Sequence, residues 1–117
     1  AIGTLKIQDL ALGNIEFMGG LVSIDTSGNV IVNTITAQKY KVAGASAGTG
    51  VLNADETEFF VNTTAVTNNS LIFITPKIAI TRPMAVTEKT EGVGFKVEIS
   101  QSESKDIEFD WFIVDHD

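Results

Sequence analysis

At 117 residues, 44% of them hydrophobic, the chain has the size of one ordinary domain and enough apolar content to build a core. A formal charge of −7 with only eight basic residues excludes a nucleic-acid backbone or an anionic membrane as partner, since both need clustered Lys and Arg. Cysteine is absent, which removes disulfides, thiol nucleophiles and thiolate zinc sites and leaves stability to packing or association.

No apolar stretch reaches the roughly 18 residues that span a bilayer, and the amino terminus lacks a basic segment followed by an apolar one. Membrane insertion is therefore not expected. The start at Ala1 rather than Met reads as a fragment, with more chain expected upstream. From Ala1 to about Val42 the pattern is of short strands between glycine turns: Leu5 and Ile7, Ile15 and Phe17, Leu21 to Ile24, Val30 to Val32, and Ile35 to Val42. Thr26-Ser27-Gly28-Asn29 predicts a hairpin, because Gly and Asn take positive φ at little cost between alternating segments. Gly13-Asn14 and Gly28-Asn29 each precede a β-branched residue, a faint internal repeat. Only Phe17 and Tyr40 are aromatic here, so these strands lack the bulk to close a core of their own.

Residues Ala43 to Gly50 are small and flexible and read as a linker or collar, which divides the chain into a short-strand region, 1–47, and a head, 48–117. A long loop within one sandwich is the alternative. Gly44, Gly48 and Gly50 do not form a phosphate loop, since no Lys-Ser or Lys-Thr and no helical pattern follows them. Val51-Leu52 and Glu58 to Thr63 predict strands around an acidic turn at 53–56. The run Leu71-Ile72-Phe73-Ile74, bounded by Asn68-Asn69-Ser70 and Pro76, has the pattern of a central strand buried on both faces. Ile78 and Ile80 alternate with Lys77, Ala79 and Thr81. Ala85 to Glu91 is the best helix candidate but is too short and too rich in Thr and Val. Val93, Phe95, Val97 and Ile99 alternate with Gly94, Lys96, Glu98 and Ser100, predicting a strand with one wet face. Ile107, Phe109, Trp111 and Ile113 alternate with Glu108, Asp110, Phe112 and Val114, so the last strand ends apolar on both faces. The fold class is all-β: shaft-like strands, then an antiparallel β-sandwich.

Gly48-Thr49-Gly50-Val51-Leu52-Asn53-Ala54, Val61 through Pro76, Gly94-Phe95-Lys96-Val97 and Phe109 through Val114 together resemble the carboxy-terminal β-sandwich of phage tail-fibre and bacterial surface-fibre proteins. The first half resembles fibre shaft sequence, in phrases such as Ser27-Gly28-Asn29-Val30 and Ile35-Thr36-Ala37. The resemblance implies a homotrimer with intertwined shafts and a globular tip, extracellular on a virion tail fibre or cell surface, engaging a glycan or protein receptor. The chain departs from that pattern at Asp55-Glu56-Thr57, where a Gly turn is expected, and in its acidic tail Asp115-His116-Asp117. Trimerisation agrees with the thin first half, since identical copies lend one another pairing edges and a shared core.

No residue set in the sequence carries chemistry, so no catalytic, metal-binding or cofactor-binding residue is assigned. His116 stands alone near the carboxy end, a poor place to hold ligand or nucleophile geometry. Glu103, Asp106, Glu108 and Asp110 offer the carboxylate pairs a glycosidase uses, but solvated surface explains them better; Asp110 stands out because its neighbours Phe109 and Trp111 are apolar. Trp111 shares the parity of Ile107, Phe109 and Ile113, which favours core packing over stacking on a sugar. Asn62-Thr63-Thr64 and Asn68-Asn69-Ser70 fit the glycosylation pattern, which matters only in a eukaryotic secretory route. Asn68, Asn69 and Ser70 are the candidate receptor-contact loop, against the plainer reading of turn formation. The expected function is a structural and adhesive fibre tip that turns nothing over. The alternatives are a monomeric carbohydrate-binding sandwich and a glycan depolymerase.

Overall fold

The computed structural model describes Gly3, Ile7 and residues 13–117. Nine strands and two short 3-10 turns are present among the described residues, and no α-helix, so the fold is all-β. The chain divides into two compact units, residues 1–40 and 41–117. The expected strand at Leu5 lies outside the described residues, and Ile7 sits in a bend.

In the first unit β1 (Ile15–Phe17), β2 (Val22–Ile24) and β3 (Val30–Ile31) form a three-stranded antiparallel sheet in the order β1-β2-β3. The expected hairpin joins β2 to β3, with Gly28 at φ 86°. Asp25 organises it: one carboxylate oxygen accepts from the Ser27 and Asn29 backbone N–H groups, both at 2.9 Å, and the other accepts from the Asn29 side chain at 2.9 Å. Three hydrogen bonds to the ionised form hold this carboxyl below the ordinary aspartate value, the Asn29 side chain contributing most. No strand forms over Ile35 to Val42, contrary to expectation. The apolar alternation is there, but among the described residues no strand pairs with it, and without a ladder partner an extended segment is not a strand. Of residues 13–40 only Ser23 is buried.

The second unit is a sandwich of two antiparallel sheets. One has the order β4-β9-β6, from β4 (Ala47–Leu52), β9 (Ile107–Asp115) and β6 (Ser70–Pro76). The other has the order β5-β8-β7, from β5 (Glu58–Asn62), β8 (Gly94–Glu98) and β7 (Ala85–Thr90). Between them lies a core of Val61, Val66, Phe95, Val97, Phe109, Trp111 and Ile113, and a second cluster of Leu52, Ile99 and Ile107 draws in Phe59, Ile78 and Ile80. The parity read from the last strand holds: Ile107, Phe109, Trp111 and Ile113 are buried and their neighbours exposed.

Two expectations fail in this unit. β6 is an edge strand rather than a central one; Ile72 and Ile74 face inward while Leu71 and Phe73 stay about half exposed, because its apolar run serves two different surfaces. Residues 47–50 are not linker: β4 begins at Ala47, and the glycines are there to make room for rings. Gly48 pairs with Trp111 and Gly50 with Phe109, and a Cβ would come within 2.8 Å of the indole or 2.5 Å of the phenyl ring. Aromatic side chains laid over glycines of a neighbouring edge strand cover backbone that would otherwise be bare. Residues 85–90, rejected as a helix for their length and their Thr and Val, form a strand that pairs with β8 by hairpin, with an irregularity between Val86 and Glu88. Ile78 and Ile80 keep their half-buried alternation without joining a ladder.

Gly94 is the tightest point of the fold, since a Cβ there would lie 1.9 Å from the Val61 carbonyl oxygen on the facing strand. Neither backbone can yield without breaking the β5–β8 ladder. Gly94→Ala is expected to cost about 3 kcal/mol, the range of severe overpacking. Thr75→Ala, on an exposed position of β6, should stay within about 0.5 kcal/mol. Urea denaturation of both variants checks the contrast.

Candidate functional site

The loop at Asn68, Asn69 and Ser70 caps the start of β6, and its three residues have different fates. Ser70 is buried, with Asn68 and Asn69 exposed beside it. The Ser70 hydroxyl donates to one oxygen of Asp115 at 2.7 Å and accepts from the Thr67 backbone N–H at 2.8 Å. The Thr67 hydroxyl donates to the other Asp115 oxygen at 3.0 Å and accepts from the Asn69 N–H at 3.1 Å. Thus the turn is fastened to the end of β9, and the His116 N–H adds a bond to the Asn69 carbonyl at 3.0 Å. Asn68 donates to Glu91 at 3.2 Å, which ties the loop to the β7–β8 hairpin. Ser70 is therefore a structural bolt, and only Asn68 and Asn69 present side chains outward.

Beside this loop the free edges of β6 and β7 border a groove of about 290 Å³, lined by Ser70, Leu71, Ile72, Val86, Thr87, Glu88 and Lys89. Lys89 crosses it to donate to the Ser70 carbonyl at 2.7 Å. A cation, a carboxylate and a hydroxyl on apolar walls can hold a polar ligand by hydrogen bonds, but there is no ring on which a sugar face would stack.

The carboxylates weighed for acid–base chemistry are spread along one end of the sandwich and each has a structural partner. Asp106 accepts from the Ala54 N–H at 2.8 Å and Glu103 from the Thr81 hydroxyl at 3.2 Å. Lys77 lies 2.9 Å from Glu108 and 3.4 Å from Asp110, and Asp110 also accepts from the Thr49 hydroxyl at 2.9 Å. The hydrogen bond to Glu108 and the charge of Asp110 raise the Lys77 pKa above its ordinary value. Asp110 points outward on the exposed side of β9, away from the apolar neighbours that drew notice to it. His116 hydrogen-bonds the Asp117 carbonyl oxygen at the terminus. Trp111 is in the core as expected, edge-on to Phe95 at 5.3 Å, with its indole nitrogen buried and without a hydrogen-bond partner.

On the outer face of the second sheet Lys96 gathers Glu98 at 3.1 Å, Glu88 at 3.4 Å and Glu58 at 3.7 Å. Its pKa is raised, chiefly by the hydrogen bond to Glu98, and that of Glu98 is lowered, chiefly by Lys96 and then by the Thr87 hydroxyl. What the sequence reading did not find is the outward set Leu71, Phe73, Phe112 and Val114, all exposed on the first sheet. The signal was present as two apolar runs of matching parity, but their adjacency depends on the β6–β9 register.

Ser70→Ala strands the Thr67 N–H and one Asp115 oxygen and should cost about 1–2 kcal/mol, the scale of a buried polar group left unpaired. Equilibrium unfolding measures it. A group whose folded pKa is lowered stabilises above its unfolded pKa and loses that contribution as pH falls through the folded value; a raised lysine contributes below its unfolded pKa and loses it as pH rises through the folded value. Stability should therefore hold at neutral pH and decline both in acid, through Glu98 and Asp25, and in strong alkali, through Lys96 and Lys77. In thermal melts across pH, Glu98→Gln is expected to flatten the acid limb; an unchanged limb would remove Glu98 from the explanation.

Residues 44–114, from the 3-10 turn before β4 to the penultimate residue of β9, match the family model for the K1 capsule-specific polysaccharide lyase, C-terminal domain. No curated protein and no solved structure matches the chain. The matched segment covers more than half of the sequence and nearly all of the sandwich, where the likeness to fibre tips was read. By that match the chain belongs to the family of the K1 capsule-specific polysaccharide lyase C-terminal domain.

Proposed function

We propose that this chain is the structural and adhesive tip of a trimeric fibre bearing a capsule-polysaccharide lyase, extracellular on a virion tail or cell surface. Its work is to hold three copies together and to present its loops to a capsular glycan or protein receptor, while bond cleavage belongs to other parts of such a lyase. The family's name supplies the capsule polysaccharide and the lyase context. Engagement of Glu103, Asp106, Glu108 and Asp110 in separate local contacts favours a module without turnover.

One observation carries the assembly reading. Residues 13–40 expose seven large hydrophobic side chains, from Phe17 at 50% to Met18 at 82%, on short strands, turns and unpaired segments, and bury no apolar residue of their own. A sheet of three strands so bare of core is not stable in water by itself, and identical copies wound about an axis would cover it. The groove between β6 and β7 favours a second reading, a monomeric sandwich that binds carbohydrate without assembling.

Sedimentation of the 117-residue chain decides between them. A mass near three times 12.5 kDa supports the trimeric tip, and a mass near 12.5 kDa leaves the monomeric module. Incubation with capsular polysaccharide should show retention on the glycan without chain shortening; shortening would make this module itself the lyase.

A further inference from the structure

The outer face of the β4–β9–β6 sheet is split in two. Toward one end it carries Thr49, Thr75, Asp110 and Glu108, with Lys77 alongside and Val51 as an isolated apolar residue, the mostly polar pattern expected of a wet face. Toward the other end Leu71 pairs with Val114 and Phe73 with Phe112, and all four are between 43% and 48% exposed. The two phenyl rings are stacked with centroids 5.0 Å apart and planes 16° from parallel. These side chains form one block on two adjoining strands. The opposite sheet of the same molecule shows the ordinary solution, with Lys96 and three glutamates on its outer face. The departure is thus local, and contiguous exposed apolar surface of this kind marks a contact site.

We propose that this block is the surface through which copies of the chain pack against one another, an inference that rests on the trimeric reading and specifies its interface. Charge selects a second copy as the occupant. At a net charge of −7, two copies repel wherever their carboxylates meet, and this block carries no ionisable side chain. Outward carboxylates of the same sheet, Glu108 and Asp110, are confined to its other half and share Lys77. Chemistry selects against a glycan. Leu71, Phe73, Phe112 and Val114 have no side-chain donor or acceptor with which to read hydroxyl groups, which a saccharide site requires. A three-fold axis passing beside the block would bring its three copies together, and stacked rings with branched aliphatics pack there without needing paired donors and acceptors.

The test uses the full chain in three forms besides wild type: Phe112→Glu, the double variant Phe73→Thr/Phe112→Thr, and Thr75→Glu on the polar half. Sedimentation reads the mass, and the near-ultraviolet circular dichroism of Trp111, the sole tryptophan, reads whether the sandwich core is intact. Wild type is expected near three times 12.5 kDa. Phe112→Glu should fall toward the single-chain mass with the tryptophan signal kept, while Thr75→Glu should remain assembled. Should Phe112→Glu lose its core signal, the double variant decides in its place, since Thr keeps strand propensity while removing the rings. Assembled Phe112→Glu or double variant beside assembled wild type would overturn this interface and leave the trimeric reading standing. Wild type at 12.5 kDa would remove both.

Discussion

The sandwich depends on how β9 is filled. It is the middle strand of its sheet, and its inward residues Ile107, Phe109, Trp111 and Ile113 supply the bulk of that side of the core. Rings of this size fit between the layers because β4, the neighbouring edge strand, gives up its side chains at Gly48 and Gly50. On the other flank β6 offers Ile74 opposite Trp111 and Pro76 opposite Phe109, and the proline, unable to donate, sits on an edge strand where that is tolerated. The facing sheet completes the layer with Phe95 edge-on to Trp111 and with Phe59 edge-on to Phe109 at 6.2 Å. In a chain without cysteine this interdigitation takes the part that cross-links play in small disulfide-rich folds.

Much of this was legible in the sequence where a strand has one dry face and one wet one. Phe95, Val97 and Ile99 alternate with Lys96 and Glu98, and that period fixes both the strand and its orientation. It was not legible where a residue's role is set by a partner far along the chain. Gly48 and Gly50 look like linker until Trp111 and Phe109, some sixty positions later, are placed over them. Leu71 to Ile74 looks doubly buried because an apolar residue on the outer face of a sheet and one facing the core have the same chemistry. β7 gives no strand signal of its own because only Val86 of its residues packs on the core, while Thr87 and Glu88 serve the ion-pair face. For the candidate loop, composition identified the turn correctly, yet it could not reveal that Ser70 is spent on Asp115, a contact spanning 45 positions.

Charged residues are used in this fold mainly as fasteners. Lys77 and Lys96 each bind carboxylates from neighbouring strands or turns, and Asp25, Asp106 and Asp115 each secure a turn through backbone or hydroxyl donors. Most of these groups face water, so individual ion pairs add little to stability, and their value lies in fixing register and loop shape. That arrangement suits a tip module, in which a firm scaffold is needed to display loops such as Asn68-Asn69 beside the β6–β7 groove.

The two exposed apolar regions of the chain differ in kind, and the difference bears on how a fibre tip would assemble. In residues 13–40 the exposed side chains lie on short strands, turns and unpaired segments that bury no apolar residue among the described residues, so on the trimeric reading a partner there would complete the fold. In the sandwich the block around Phe73 and Phe112 sits on a sheet whose inner face is already fully packed, so a partner there adds to a unit that folds without it. Association through the sandwich alone would be reversible, governed by how much apolar surface three copies can hide. Once it had gathered three chains, it would raise the local concentration of the shaft-like segments and lower the entropic cost of their pairing. On that order of events the carboxy-terminal unit gathers the fibre and the thin strands before it are the part that is gathered.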